Sequence, residues 1–355
     1  MRKTTRSNIV TFGIVILFYL VVQLLSAGGL LSNSFEGQLI PICAYVVMAV
    51  SLNLTVGFLG ELSLGHAGFM SVGAFAGVLV WTVAGESLPV FAALPLAFLA
   101  GGVAAGLFGV IVGVPVLRLS GDYLAIVTLA FGEIIRDIIN CLLVGWDENG
   151  LHIALNIDGT KSIASLGLSE NGVEIIKGAQ GASGNTRIAT FTMGFVLVMI
   201  TLIVVLNLVR SRTGRAVMAI RDNRIAAESV GINVTKYKLI AFVTSASLAG
   251  AAGALFGLNY SSVSAAQFDF NQSILVLVYV VLGGLGNIWG SIIATVVLYV
   301  LPEALREFND LRMLVYAIVL ILVMLITNNP TLRSLLETAG KKFRRGKSRE
   351  GGVQG

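Results

Sequence analysis

The stretch SRTGRAVMAIRDNRIAAESVGINVTK, residues 211–236, is a polar island between long apolar runs, and its reading decides the fold. Across residues 210–238, seven Lys and Arg (Arg210, Arg212, Arg215, Arg221, Arg224, Lys236, Lys238) stand against two acids, Asp222 and Glu228. Basic residues near the ends of membrane spans stay on the cytoplasmic side, so this excess marks a cytoplasmic loop of a membrane protein. The island also carries helical signals. Ala216, Val217, Ala219 and Ile220 follow a Gly-Arg start, Asp222 or Asn223 supplies an N-cap for a second short helix over 225–230, and Gly231 suits the left-handed C-terminal position. Two short helices at the membrane surface and a plain positive-inside loop with helical propensity both fit this pattern.

Composition outside the island agrees with a membrane protein. Hydrophobic residues make up 56% of the chain and charged ones 12%, in several runs of about twenty apolar residues. With a mean hydropathy of +0.88, this predicts an all-α, polytopic membrane protein. The pI near 9.3 does not call for nucleic acid, because the basic residues cluster at the N-terminus, the island and the tail, where orientation in a bilayer explains them. Cys43 and Cys141 both sit inside apolar runs, so neither a disulfide framework nor a cysteine metal site is implied. The opening MRKTTRSNIV and the apolar run to Leu25 mimic a secretory signal, with small residues at Ser26, Ala27 and Gly28. The many spans that follow favour an uncleaved first helix.

Apolar runs fall at about 9–27, 39–56, 65–84, 90–112, 123–144, 188–209, 239–258, 273–301 and 311–327. Arg2, Lys3 and Arg6 place the N-terminus inside, and Lys341, Lys342, Arg344, Arg345, Lys347 and Arg349 do the same for the C-terminus, so the number of crossings is even. The run at 273–301 is the longest, and GGLGNIWG (283–290) interrupts it. Split there into a broken or re-entrant pair, it brings the total to about ten transmembrane helices, within a range of eight to ten, and puts Glu303, Glu307 and Asp310 outside. The same count leaves residues 145–187 outside, where five acids (Asp147, Glu148, Asp158, Glu170, Glu174) face three bases (Lys161, Lys177, Arg187). Rich in Gly, Ser and Asn, this segment reads as an extracytoplasmic loop whose only suggested regular structure is a short hairpin.

Glycines recur four residues apart inside the runs, at Gly73 and Gly77, Gly102 and Gly106, Gly109 and Gly113, Gly253 and Gly257, and Gly286 and Gly290. Close helix packing accounts for most of them. The chain has no G-x-x-x-x-G-K-[ST] motif and therefore no ATP-binding P-loop of its own. Gly284-x-Gly286 lies in an apolar hairpin, which makes it a packing or hinge element and not a dinucleotide site. His66 and His152 lie on different segments, so neither metal nor hydrolytic chemistry has a residue set to build on.

Two polar features remain within the apolar runs. Glu133, Arg136 and Asp137 share one helical face in FGEIIRDIIN; they read either as the lining of a watery path or as a structural ion pair where the helix leaves the membrane. The stretch GFLGELSLGHAGFMSVGAFAG (57–77), with Glu61, Ser63 and His66, reads either as a broken segment lining a translocation path or as a cytoplasmic turn.

Four blocks, LNLTVGFLGELSLGHAGFMSVGAFAG (52–77), GDYLAIVTLAFGEIIRDI (121–138), SRTGRAVMAIRDNRIAAESVGINVTKYKLIAFVTSASLAGAAGAL (211–255) and VLGGLGNIWGSIIA (281–294), resemble the LivM-type permease subunits of bacterial branched-chain amino acid ABC importers. The resemblance runs from about Leu39 to Thr327 and keeps the family's order. It implies a permease domain over 1–330 in the bacterial inner membrane, with a cytoplasmic coupling loop at 210–238 and a basic cytoplasmic tail at 331–355. It also implies a second, LivH-type permease, two cytoplasmic ATPase subunits that bind ATP and Mg, and an extracytoplasmic substrate-binding protein; this chain would be no enzyme and hold no cofactor. AAES-x-G at 226–231 is similar to the EAA loop of importer permeases.

The resemblance therefore makes Arg215, Val217, Ile220, Arg221, Asp222, Ile225, Ala226, Ala227, Glu228 and Gly231 the ATPase-coupling set. Within it Arg215, Arg221, Asp222 and Glu228 are polar contacts, and Val217, Ile220 and Ile225 are anchors. The translocation path is expected among Glu61, Ser63, His66, Glu133, Arg136, Gly283, Gly284 and Gly286. Leucine, isoleucine and valine are the expected substrates, with urea, short amides or other amino acids as alternatives within the family. An autonomous ion-coupled carrier built on Glu133, Arg136 and Asp137 is the alternative of another class, and a non-transporting scaffold a third. One departure stands out. KGAQGASG (177–184) resembles the family's Gly-rich segment, but some thirty residues, 147–176, come before it, either as a contact for the binding protein or as a tolerated insertion.

Overall fold

The computed structural model describes residues 2–29, 33–85, 88–118, 121–148, 150–156, 166–169, 172–183, 187–305, 314–315, 317–318 and 320–321. In chain order it runs α1 (Arg2–Ala27), α2 (Asn33–Asn53) prolonged by a π-helical turn (Leu54–Leu59), α3 (His66–Gly85), α4 (Val90–Val116), α5 (Asp122–Cys141), β1 (Leu142–Asp147), β2 (Gly150–Leu155), β3 (Val173–Lys177), β4 (Ala182–Ser183) and α6 (Phe191–Arg210). It continues through α7 (Arg212–Asp222), α8 (Arg224–Ser229), α9 (Val234–Gly257), β5 (Ser262–Val263), α10 (Phe270–Gly283) and α11 (Ile288–Ala304). Among the described residues, five helical stretches are long and apolar enough to cross a membrane: Phe35–Leu59, His66–Gly85, Val90–Val116, Phe191–Arg210 and Val234–Gly257. The protein is thus a mostly helical, polytopic membrane protein.

Two compact units divide the chain, Met1–Thr295 and Val296–Gly355. The second begins with the last turns of α11, and its other described residues, between 314 and 321, are helical. Most of the apolar run at 311–327 and all of the tail at 331–355 lie outside the described residues. In the first unit the long run at 273–301 divides as the sequence predicts: α10 stops at Gly283, and α11 starts at Ile288.

The centre of this unit is α9, flanked by α3 and α4, with α2 also against it. Among its buried residues, the middle of the helix is mostly small: Ser245, Ala246, Ala249, Gly250, Ala252, Gly253 and Ala254. Small side chains let helices approach until backbone touches backbone, which is where dispersion contacts accumulate in a bilayer. Where α3 crosses α9, a Cβ on Gly73 of α3 would lie 2.0 Å from the Gly250 carbonyl oxygen. On the third side a Cβ on Gly101 of α4 would lie 2.8 Å from the carbonyl oxygen of Gly73. Three helices therefore meet at one point with only glycine backbone and the methyl groups of Ala105 and Ala254 between them.

The all-α expectation needs correction at residues 142–183. α5 ends at Cys141, three residues before the end of its apolar run, and Leu142–Asp147 continues as β1. β1 pairs antiparallel with both β2 and β3, giving a three-stranded sheet in the order β2-β1-β3. The hairpin reading captured β1 and β2, but not β3, whose partner lies some thirty residues back in sequence. Long-range pairing leaves little local trace in sequence, whereas the β1 and β2 connection is short. Asp147 closes this sheet: its carboxylate accepts from the Ser169 amide at 3.3 Å and stands 3.0 Å from His152 Nε2. A second, two-stranded pairing of β4 with β5 ties the start of α6 to the end of α9. α7 and α8 occupy the other end of these two helices.

Candidate functional site

The α7 and α8 segment forms as two helices, with each boundary set by a side-chain cap. Ser211 Oγ accepts from the Gly214 amide at 3.1 Å, Asn223 Oδ1 from the Ala226 amide at 3.0 Å, and Asn233 Oδ1 from the Lys236 amide at 3.0 Å. Each cap satisfies an amide that the helix start leaves free. Gly231, at φ 85°, takes the left-handed turn after α8. Of the two expected N-cap candidates, Asn223 holds the position and Asp222 closes α7.

The expected coupling residues divide into two groups. Val217, Ile220 and Ala227 are buried in this chain: Val217 packs with Leu54, Leu59 and Ala241, and Ile220 and Ala227 pack with Val234. Their side chains hold α7 and α8 onto the membrane helices. Arg215, Asp222, Ala226, Glu228 and Gly231 are exposed, and so is Ile225, which stays 79% accessible. Arg224 Nε reaches Glu228 Oε1 at 3.4 Å, an exposed pair one turn apart that adds little stability. Arg221 is also exposed, but its Nη1 reaches back to donate to the Gly57 carbonyl at 3.0 Å, while Nε and Nη2 hold Asp222 Oδ1 at 3.2 and 3.1 Å.

Beneath α7, the passage from α2 to α3 is broken. The π-helical turn ends at Gly60, which adopts φ 79°, and α3 starts only at His66. π-helical turns and interrupted helices at membrane depth survive where protein buries them, and here every residue from Ser51 to Gly57 is buried. Side chains from other helices satisfy the broken backbone. Thr128 Oγ1 of α5 accepts from the Leu64 amide and Ser273 Oγ of α10 from the Ala67 amide, both at 3.1 Å. Asn53 bridges to the α10–α11 connection, with Nδ2 donating to Ser291 Oγ at 2.9 Å and Oδ1 accepting from the Gly286 amide at 2.8 Å. Asn53→Ala would leave the half-buried Gly286 amide without its acceptor, while Ser291 Oγ keeps its bond to the Asn287 carbonyl; the expected result is about 1 kcal/mol of lost stability, read as a shift in the unfolding midpoint in detergent.

Glu61 forms an ion pair with Lys238, near the start of α9, and both side chains are nearly buried. Deeper, His66 Nε2 lies 3.0 Å from Ser51 Oγ and 3.4 Å from Ser245 Oγ. Ser51 Oγ donates to the Met48 carbonyl at 2.8 Å, so its lone pair is what faces the histidine, and the ring proton belongs on Nε2. His66 Nδ1 is then an acceptor, and it has no partner among the described residues. Ser63 Oγ and Ser71 Oγ are likewise buried without a partner. Among the described residues no group of three or more His, Cys, Asp or Glu is placed to hold a metal ion.

Of the expected path residues, Glu61, Ser63, His66, Gly283, Gly284 and Gly286 belong to this one region. A Cβ on Gly57 would lie 2.2 Å from the Gly286 amide nitrogen, and one on Gly283 would lie 2.4 Å from Gly290, which makes the α10–α11 turn tight enough to reach α2. Glu133 and Arg136 are placed elsewhere: they pair with each other on α5 at 2.8 Å, with Asp137 at 3.7 Å, and remain about one-third exposed. Lys238, Asn53, Ser51 and Ser245 were not singled out from the sequence. The signal was present, since each is a polar residue inside or bordering an apolar run, where an unpaired polar group is costly.

Broken helices closing on buried polar groups, with a capped amphipathic helix pair resting on the break, define a membrane permease. Residues 34–324 match the family model described as branched-chain amino acid transport system / permease component, and the chain belongs to that family. It is 37% identical over 285 residues to the high-affinity branched-chain amino acid transport system permease protein LivM of Salmonella typhimurium, covering 79% of this chain and 66% of that protein. It is 36% identical over 295 residues to LivM of Escherichia coli K12, with the same coverage. Similarity extends to the permease protein LivH of Escherichia coli K12, at 26% identity over 298 residues, 79% of this chain and 89% of that one. The match thus spans about two thirds of the LivM proteins' own length. No solved structure matches the chain.

Proposed function

We propose that this chain is a permease subunit of an ABC importer for branched-chain amino acids in the bacterial inner membrane, moving leucine, isoleucine and valine by alternating access. Similarity to both LivM and LivH permease proteins favours pairing with a second, LivH-type permease. Two cytoplasmic ATPase subunits bind ATP and Mg and dock on α7 and α8, while an extracytoplasmic binding protein delivers substrate to the side bearing the three-stranded sheet. About ten crossings, both termini inside, residues 1–330 as the permease domain and 331–355 as a cytoplasmic tail complete this reading.

The observation that carries it is the exposed side of α7 and α8. Ile225, at 79% accessibility, is flanked by Arg224 and Glu228 on a helix pair whose other side is anchored by Val217, Ile220 and Ala227. An exposed aliphatic anchor with a charged rim is the anatomy of a protein interface. Arg215, Asp222 and Gly231 lie at its margin. The substrate path is assigned to the break around Glu61, Ser63 and His66 and to the turn at Gly283, Gly284 and Gly286. Urea, short amides or other amino acids remain substrate alternatives, since the binding protein supplies much of the selection. The ion-coupled carrier has less support, because Arg136 is already committed to Glu133 on its own helix.

Glu228→Arg tests the docking surface. The variant is expected to insert in the membrane like the parent chain but to recover at least tenfold less ATPase subunit on purification through a tag, and to lose leucine uptake. Normal recovery and uptake would overturn the docking assignment. Transport of leucine by the purified chain alone, driven by an ion gradient in liposomes, would favour the carrier.

A further inference from the structure

The end of α2 leaves carbonyl groups that no amide of the same helix reaches, because the chain leaves the helix at Gly60. The Thr55 carbonyl takes the Gly60 amide and, at 3.1 Å, the Glu61 amide. The Gly57 carbonyl is met instead by Arg221 Nη1, at 3.0 Å, from a residue 164 positions later in the chain. A cation on a helix C-terminus satisfies the free acceptor and opposes the negative end of the helix dipole. The stem of Arg221 passes over Gly60, where a Cβ would lie 2.6 Å from Arg221 Cγ, so a larger residue there would block its approach. Asp222 holds the other edge of the guanidinium through Nε and Nη2, which aims Nη1 at Gly57.

Gly57 is also the point where α2 touches the α10–α11 turn, through Gly286 and the Asn53 bridge to Gly286 and Ser291. One guanidinium therefore stands where three elements meet: the end of α2, the turn between α10 and α11, and the end of α7. A π-helical turn lies one residue out of register with an α-helix, so the six-residue stretch Leu54–Leu59 is a segment with a second arrangement close at hand. We infer that Arg221 is a transmission strut: displacement of α7 reaches the π-helical turn and the 284–287 turn through its bond to the Gly57 carbonyl. Arg221 is thus a positioning residue acting on the broken helices, and not one of the groups that hold the ATPase. The inference rests on the coupling role proposed for α7 and α8.

The test uses the whole complex, purified from native membrane through a tag on this chain and reconstituted with leucine and its binding protein. Arg221→Met is expected to retain its ATPase subunits within twofold of the parent complex while leucine uptake per ATP hydrolysed falls at least fivefold. Arg221→Lys, which keeps one donor for the Gly57 carbonyl, is expected to regain at least half of the parent ratio. An uptake ratio for Arg221→Met within twofold of the parent would overturn the strut, and so would loss of the ATPase subunits, which would make Arg221 a docking contact. A parent complex with no ATPase subunits at all would overturn the functional reading itself. Should Arg221→Met fail to reach the membrane, hydrogen exchange on the parent complex decides: amides 58–62 are expected to differ at least threefold between nucleotide-free and nucleotide-trapped states, and equal exchange overturns the proposal.

Discussion

Lys238→Met is expected to cost about 3–5 kcal/mol and to leave most of the protein unrecoverable in folded form, because it strands Glu61 as an unpaired charge. The Lys238 side chain is 3% accessible and that of Glu61 13%, so water cannot take over the lost partner. The second substitution makes the argument specific. Removing both charges together, as Glu61→Leu with Lys238→Met, is expected to restore most of the stability, since replacing a buried pair by apolar groups is often neutral. Folded yield after detergent extraction and the midpoint of denaturant unfolding measure both effects. If the double variant were as unstable as the single one, the pair would have a role beyond charge neutralisation.

Gly73→Val is expected to have an effect of similar size through a different cause. A Cβ at this position would lie 2.0 Å from the Gly250 carbonyl oxygen and 2.3 Å from Gly250 Cα, so the obstacle is backbone and no rotamer change relieves it. Overpacking of a tight core costs typically about 1–3 kcal/mol, and a rigid backbone neighbour puts this site at or above the top of that range. Separation of α3 from α9 would also pull Gly101 of α4 away from the same crossing. Gly102→Ala is the internal comparison, because its nearest neighbour across the interface is 3.1 Å away at the Ser247 carbonyl. Its expected loss is small, about 1 kcal/mol or less. Unfolding midpoints for the two variants, measured side by side, check the contrast.

Much of the local architecture was legible because its causes are local. The second helix of the pair could be read from Asn223 and Gly231, since a cap is decided by residues within one turn of the helix end, whereas the Ser211 cap of the first was not singled out. The split of the long run at Gly283–Gly290 was legible for the same reason. The coupling residues are expected as a group from the family resemblance, but that pattern is silent on which side each faces. Val217 and Ile220 had the look of partner anchors because they are apolar in a polar island; the fold instead uses them to seat α7 on Leu54, Leu59 and Val234.

The sequence by itself determined that the chain is a polytopic helical membrane protein and that the long run at 273–301 divides at 283–290; composition, periodicity and caps act over a few residues, and they left two readings each for the island and for 57–77. Only the tertiary structure decided which polar residues meet. Arg221 and Lys238 count equally with the other basic residues of the island when charges are summed, yet Lys238 is buried against the Glu61 carboxylate, and Arg221, while still exposed, reaches the Gly57 carbonyl, each partner far away in sequence. The β3 pairing to β1 and the separation of Glu133 and Arg136 from the His66 cluster were decided in the same way. The physical reason is common to all of them: a polar group taken out of water must find a partner, and which partner it finds depends on the packing of segments whose separation along the chain carries no record of their distance in space.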